Sequence, residues 1–241
     1  MNSGDRNTKY FHSKSLDRKK KNTIYGILDK NGNWCDSIKS IANVAISYFE
    51  KLYTTFHPSR ISEVTGAIPA RVMPEMNQIL INQFTKEEVE TTLKQIHLTK
   101  ALGPNGMSVI FFQKYWDVIG TDVTSMVLNV LNCNMSIIEI NKTNITLVPK
   151  TNSPSKMTEY RPISLSNVAY KLISNVLANR LKAILPHLIT ENQSVFLSER
   201  LITNNVLVAF KLMHFLECKK DGKDGCMVVK LDMNKAYDRV E

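Results

Sequence analysis

Apolar residues in this chain recur at helical spacing in several long stretches and alternate in a few short ones. Ile38, Ile41, Ala42, Ala45, Ile46, Phe49 and Leu52 lie three or four positions apart, which predicts an amphipathic helix over 38–53. Thr85 and Glu88 have the form of a capping box. Val89, Leu93 and Ile96 make the buried stripe of the helix they open, which should end near His97. Met107, Ile110, Phe111, Lys114 and Tyr115 repeat in the same way, and Val123, Met126, Val127, Val130 and Leu131 predict a further helix. The clearest pattern, Val168, Leu172, Ile173, Val176, Leu177, Leu181 and Ile184, predicts a helix over 167–185 that Pro186 stops. A last helix over 204–217 should turn Val206, Phe210, Met213 and Leu216 inward.

The remaining stretches read as strands, turns and connections. Ile24 to Leu28, an Asn31-Gly32 turn and Trp34-Cys35 predict a hairpin. Thr143 to Lys150 is β-branched and alternating, a strand whose end Pro149 fixes. Residues 100–106, Lys-Ala-Leu-Gly-Pro-Asn-Gly, form a strong turn signal. Residues 1–22 are polar and basic, with Tyr10-Phe11-His12 as an aromatic knot, and 54–83, with Pro58, Pro69 and Pro74, read as an irregular linker. Near the end, the apolar run Val228 to Leu231 predicts a strand that delivers Asp232 to a sheet edge. Strands are too few and scattered for a doubly wound sheet, so the class is α+β, mostly helical with a few short strands. The best internal boundary divides 1–80, a basic connector, from 81–241.

Charge adds a partner to this picture. The 241 residues carry a net charge of +9 with a pI near 9.3, which favours a polyanion, nucleic acid first. The excess is concentrated: residues 1–30 hold eight Lys or Arg against three Asp. The run Arg18, Lys19, Lys20 and Lys21 suits phosphate contacts or a weak nuclear signal as well as it suits a solvated tail. The four cysteines lack zinc-knuckle spacing and follow no secretory signal, so they read as reduced thiols of an intracellular protein, with Cys133 in the core. No apolar run approaches the roughly 18 residues that a membrane helix needs.

The chemistry begins at Asp232, whose carboxylate could hold a divalent ion. Asp238, six residues on, is about 20 Å away along an extended strand, too far to share that ion unless the chain turns back, and reads as structural. Beside these residues stand several ordered blocks: residues 4–12 (Gly-Asp-Arg-Asn-Thr-Lys-Tyr-Phe-His), the 100–106 turn, Ile145 to Lys150, Tyr160-Arg161-Pro162-Ile163-Ser164-Leu165, Ala178-Asn179-Arg180-Leu181, Gln193 to Phe196, and Leu231 to Asp238. Each alone is weak, but their order and spacing resemble a reverse transcriptase of the non-LTR (LINE-type) retrotransposon class, of plant type.

The resemblance implies the fingers and an incomplete palm of a right-hand polymerase, and an RNA-directed DNA polymerase using Mg2+ or Mn2+ on an RNA template, a DNA primer and dNTPs. It makes Asp232 the catalytic carboxylate and first metal ligand. Tyr237 becomes the aromatic that packs on the sugar and rejects a 2′-hydroxyl. Lys150 and Arg161 become contacts of the incoming triphosphate, which an ammonium and a guanidinium fork both suit. Lys100 and Arg180 become nucleic-acid contacts, alongside Arg18, Lys19, Lys20 and Lys21. The sequence departs from the family at Leu102 and Asn105, where Pro and Asp are usual, and at 197–200, Leu-Ser-Glu-Arg, where a Pro-Gly-Arg turn is usual. The family's paired Asp-Asp motif lies downstream of Glu241, so the expectation is a chain truncated within the palm and inactive as a polymerase alone. The alternative is a basic nucleic-acid-binding remnant with no catalytic role.

Overall fold

A computed structural model describes residues 9–55, 59–67, 69–190, 193–194, 197, 200–219, 227–229 and 231. The chain divides into two compact units, each discontinuous in sequence: one contains 1–58 and 143–165, the other 59–142 and 166–232.

In the first unit, α1 (Lys9–Asn22) leads into a two-stranded hairpin, β1 (Ile27–Leu28) and β2 (Trp34–Cys35), and then α2 (Ile38–Tyr53). The hairpin has the antiparallel register Ile27 to Cys35 and Leu28 to Trp34. Gly32 supplies the positive φ of +85° that its turn needs. Asp29 closes that turn by accepting the backbone N–H groups of Asn31 and Asn33, each at 2.8 Å. The helix α2 follows the predicted bounds and is capped by the Ser37 side chain. A second sheet pairs β3 (Thr143–Pro149) with β4 (Tyr160–Ser166). Ile27, Met157 and Tyr160 are the buried centre of this unit, with Tyr48, Phe49 and Leu147 against them. Residues 9–22 are helical, and their side chains are largely exposed.

The second unit is helical. The expected linker contains α3 (Ile61–Gly66) and α4 (Pro74–Ile81). Pro74 does not interrupt α4; it occupies the first turn, where its missing N–H costs nothing. Then come α5 (Lys86–Gln95), α6 (Val109–Lys114), α7 (Trp116–Cys133), α8 (Val168–Leu188) and α9 (Ile202–Cys218). Val89, Leu93 and Ile96, Val109 and Phe112, Val127, and Val168, Leu172, Ile173 and Val176 form one core. Gln113 ties α6 to the end of α5 by donating to the carbonyls of Leu93 and Ile96.

Five expectations are corrected here. The core face of α6 is Val109 and Phe112; Met107, Ile110, Phe111 and Tyr115 are exposed. Pro186 does not stop α8, which runs on to Leu188: only the bond to the Lys182 carbonyl is lost, so close to the end that the last turn tolerates it. Cys133 is exposed in the last turn of α7. In α9 no residue is buried, and Val206, Phe210 and Met213 face solvent among the described residues. Of the final apolar run, Val228, Val229 and Leu231 form no strand and are exposed. Cys226 and Lys230 lie outside the described residues.

Candidate nucleotide and nucleic-acid site

The residues expected to meet a triphosphate lie on the β3–β4 sheet. Lys150 follows Pro149 at the end of β3, and its backbone N–H donates to the Glu159 carbonyl at 2.8 Å, closing the loop between the strands. Its ammonium donates to the Thr158 carbonyl at 2.8 Å, which leaves two of its three protons for solvent or a ligand. Glu159 holds the same loop from the other side. Its carboxylate accepts the backbone N–H groups of Ser155 (2.6 Å) and Lys156 (3.2 Å), and these bonds, Ser155 first, hold it below the usual carboxylate range.

Arg161 is fixed by alternation. Tyr160 is buried, with burial pushing its phenol upward, so the next side chain on the strand emerges on the opposite face. Arg161 is exposed and makes no hydrogen bond or ion pair among the described residues. Pro162 behind it restricts its backbone to extended conformations, as β4 shows. Lys150 and Arg161 therefore share one small sheet, with cationic groups available to a phosphate.

In the other unit, the 100–106 turn docks on the start of α8. Asn167 caps that helix, yet its side-chain oxygen accepts the Asn105 backbone N–H at 3.2 Å, and its amide donates to the Ile140 carbonyl at 3.5 Å. Gly103 is required by closeness: a β-carbon there would sit 2.6 Å from the backbone N of Asn167. Gly106 is required by its φ of +70°. Lys171 donates to the Ala101 carbonyl at 2.7 Å, and desolvation, with Lys100 nearby, lowers its pKa. Lys100 itself is exposed at the edge of this turn. The 100–106 turn and the start of α8, more than sixty positions apart, are here one joint.

Arg180 is placed differently from the other cations. Its Nε and one terminal nitrogen grip the Glu88 carboxylate in a fork, at 2.7 and 2.8 Å. Its other protons go to the carbonyls of Leu80, Asn82 and Gln83. All five donors are used within the protein. The guanidinium also stacks on the Phe84 ring, 3.5 Å from its centroid, and Phe84 is held by two bonds between its backbone and Asn132. Next to it, Asn179 donates to Thr92 and Gln95 on α5. The Ala178-to-Leu181 block thus clamps α8 to α5 and to the segment after α4, and its arginine has no proton left for a phosphate.

Arg18, Lys19, Lys20 and Lys21 are exposed along the last turns of α1, where the three lysines also complement the helix dipole. Asp232, Tyr237 and Asp238 lie outside the described residues, as does Phe196. Among the described residues no group of three or more His, Cys, Asp or Glu is placed to hold a metal. No helix among them is long and apolar enough to cross a membrane. The sequence reading did not single out Asn167, Lys171 or a Glu88–Arg180 pair. Asn167 gave a local signal, a capping residue type before the strongest helical pattern; the others depend on partners some seventy to ninety positions away.

Residues 148–241 match the family described as reverse transcriptase (RNA-dependent DNA polymerase). Over 98% of its length the chain is 26% identical to the transposon TX1 uncharacterized 149 kDa protein of Xenopus laevis, and it spans 18% of that protein. The matched segment begins two residues before Lys150 and contains Arg161, Arg180, Asp232 and Tyr237. Residues 148–241 of this chain are thus similar to reverse transcriptases, and the chain as a whole is similar to part of a transposon protein.

Proposed function

We propose that this chain contributes the fingers and the start of the palm to an RNA-directed DNA polymerase of a non-LTR element, and that residues 1–80 connect to it as a basic arm. The observation that carries the reading is that one small sheet, β3 with β4, carries two available cations of the matched segment, Lys150 just past the end of β3 and Arg161 on β4. In this reading they grip the triphosphate of the incoming dNTP, the ammonium as a point charge and the guanidinium as a fork. Asp232 is the catalytic carboxylate, and Tyr237 lies against the sugar.

Asp232 offers hard carboxylate oxygens, which suit Mg2+ or Mn2+, but a single carboxylate does not complete a site. When bound, such an ion supplies charge neutralisation at the transferring phosphoryl group. The protein's own part is to orient the triphosphate, which the closed loop from Lys150 to Glu159 favours by fixing the lysine's backbone. Lys100 and the α1 cations would meet the RNA template and DNA primer through phosphates. Arg180 is left out of this set because its donors are spent on Glu88 and three carbonyls.

The test is binding of a labelled DNA primer on an RNA template, with Mg2+, and with or without the dNTP that matches the next template base. The polymerase reading expects the matched dNTP to tighten binding and Lys150→Ala with Arg161→Ala to remove that gain. Binding that falls steeply with salt but ignores every dNTP would favour a non-catalytic nucleic-acid-binding role, the second reading, for which the exposed basic turns of α1 speak.

A further inference from the structure

A cavity of about 1040 Å³ opens in the first unit between the hairpin turn, one face of α2 and the loop before Tyr160. It lies at the top of the size range of small-molecule pockets, roughly 300–1,000 Å³. Its floor is apolar: Val44, Tyr48 and Leu52 from α2, and Met157 from the loop. Its rim is cationic. Lys30 comes from the turn, Lys51 from α2 and Lys156 from the loop, three segments converging on one opening. All three lysines are exposed; Lys156 also lies near the Glu159 carboxylate, whose pKa its charge helps to lower. The one acidic residue in the lining, Asp29, is already occupied by Asn31 and Asn33.

We propose that this cavity binds a single-stranded polynucleotide, with a base seated against Tyr48 and the apolar floor and its flanking phosphates on Lys30, Lys51 and Lys156. An aromatic ring in an apolar pocket with cations around it combines the two attractions that sequence-tolerant single-strand binding uses. Charge favours this occupant over a basic protein segment: three exposed lysines line the opening, and the Asp29 carboxylate is already occupied by Asn31 and Asn33. The site does not depend on the polymerase reading, because it stands on the hairpin, α2 and the 156–158 loop rather than on Asp232 or the nucleotide cations.

The experiment is fluorescence anisotropy of the full chain with a labelled 12-nucleotide single strand, RNA in one arm and DNA in the other, across a salt series. Tyr48→Ala should weaken binding about tenfold, and Tyr48→Phe, which keeps the ring, should restore most of it. Lys30→Gln, Lys51→Gln and Lys156→Gln together should lower the slope of log affinity against log salt by about two, since each phosphate contact on a single strand contributes roughly 0.7. These lysines are surface groups, so the triple variant reports even if Tyr48→Ala disturbs the fold. Binding in either arm with these losses supports the site. An unchanged slope in the triple variant would overturn it, as would polyglutamate competing as well as an unlabelled strand of equal charge.

Discussion

Arg180 and Glu88, ninety-two positions apart, form a bidentate pair at 2.7 and 2.8 Å that joins α8 to the first turn of α5. The same carboxylate also accepts the Thr85 backbone N–H at 2.8 Å, so one side chain completes a capping box and anchors a second helix. The arginine is nearly buried, with a side chain 10% exposed. Removing either partner leaves the other's polar atoms without their bonds.

Arg180→Ala should therefore cost about 2–4 kcal/mol of stability, measured as a lower urea midpoint. Arg180→Lys should recover little, because an ammonium cannot reproduce five fixed donors. A variant that keeps its stability but loses polynucleotide affinity would show that Arg180 meets phosphate instead.

The pair also sets a pH dependence. The Arg180 hydrogen bonds lower the Glu88 pKa from 4.5, with the Thr85 backbone N–H adding to them. A depressed carboxylate pKa gives stability that is fully present above the unfolded value and is lost as pH falls through the folded one. The urea midpoint should hold steady from pH 7 to about 5 and drop below about 4.5, and Glu88→Gln should start lower and drop less. An equal drop in both proteins would place the acid sensitivity elsewhere.

The joint at the start of α8 makes Gly103 intolerant of a side chain. Gly103→Ala would bring a carbon to 2.6 Å from the Asn167 nitrogen and the Ser166 carbonyl carbon, both backbone atoms. The expected loss is about 1–3 kcal/mol. Gly66→Ala, where nothing lies within 4 Å, should change stability by less than about 0.5 kcal/mol. Equal thermal midpoints for the two variants would refute the close packing of turn and helix.

The exposed face of α9 has a solution consequence. Val206, Leu207, Phe210 and Phe215 are each at least half exposed along one helix. Contiguous apolar surface of this kind binds hydrophobic dyes and promotes association. Leu207→Lys with Phe210→Lys should reduce dye fluorescence by about half or more and reduce light scattering, with little change in the unfolding midpoint, since neither residue is buried. A large loss of stability would mean that the helix packs in solution.

Particular residues show what could be read from the chain. The stripe Val168, Leu172, Ile173 and Val176 was legible because polar residues separate it from the other faces of α8. Thr85 and Glu88 were legible because capping is local. The run Val109-Ile110-Phe111-Phe112 was not, because four consecutive apolar residues fit more than one face, and the neighbours, not the period, chose Val109 and Phe112. In α9, apolar from Val206 to Phe210 without a break, no face was marked at all. Arg180 looked like a phosphate contact because its partners are distant in sequence; only the fold brings Glu88 and three carbonyls to it. Lys150 and Arg161 kept their candidacy, as cations at a strand end and before a proline.

The most direct measurement of the central claim is photolabelling with a dATP analogue bearing an aryl azide on its γ-phosphate, on chain loaded with primed RNA template and Mg2+, followed by peptide mapping. The account expects adducts on the peptides that carry Lys150 and Arg161, and their suppression by unlabelled matched dATP. Labelling of other peptides alone, or labelling of these that excess dATP leaves unchanged, would contradict it.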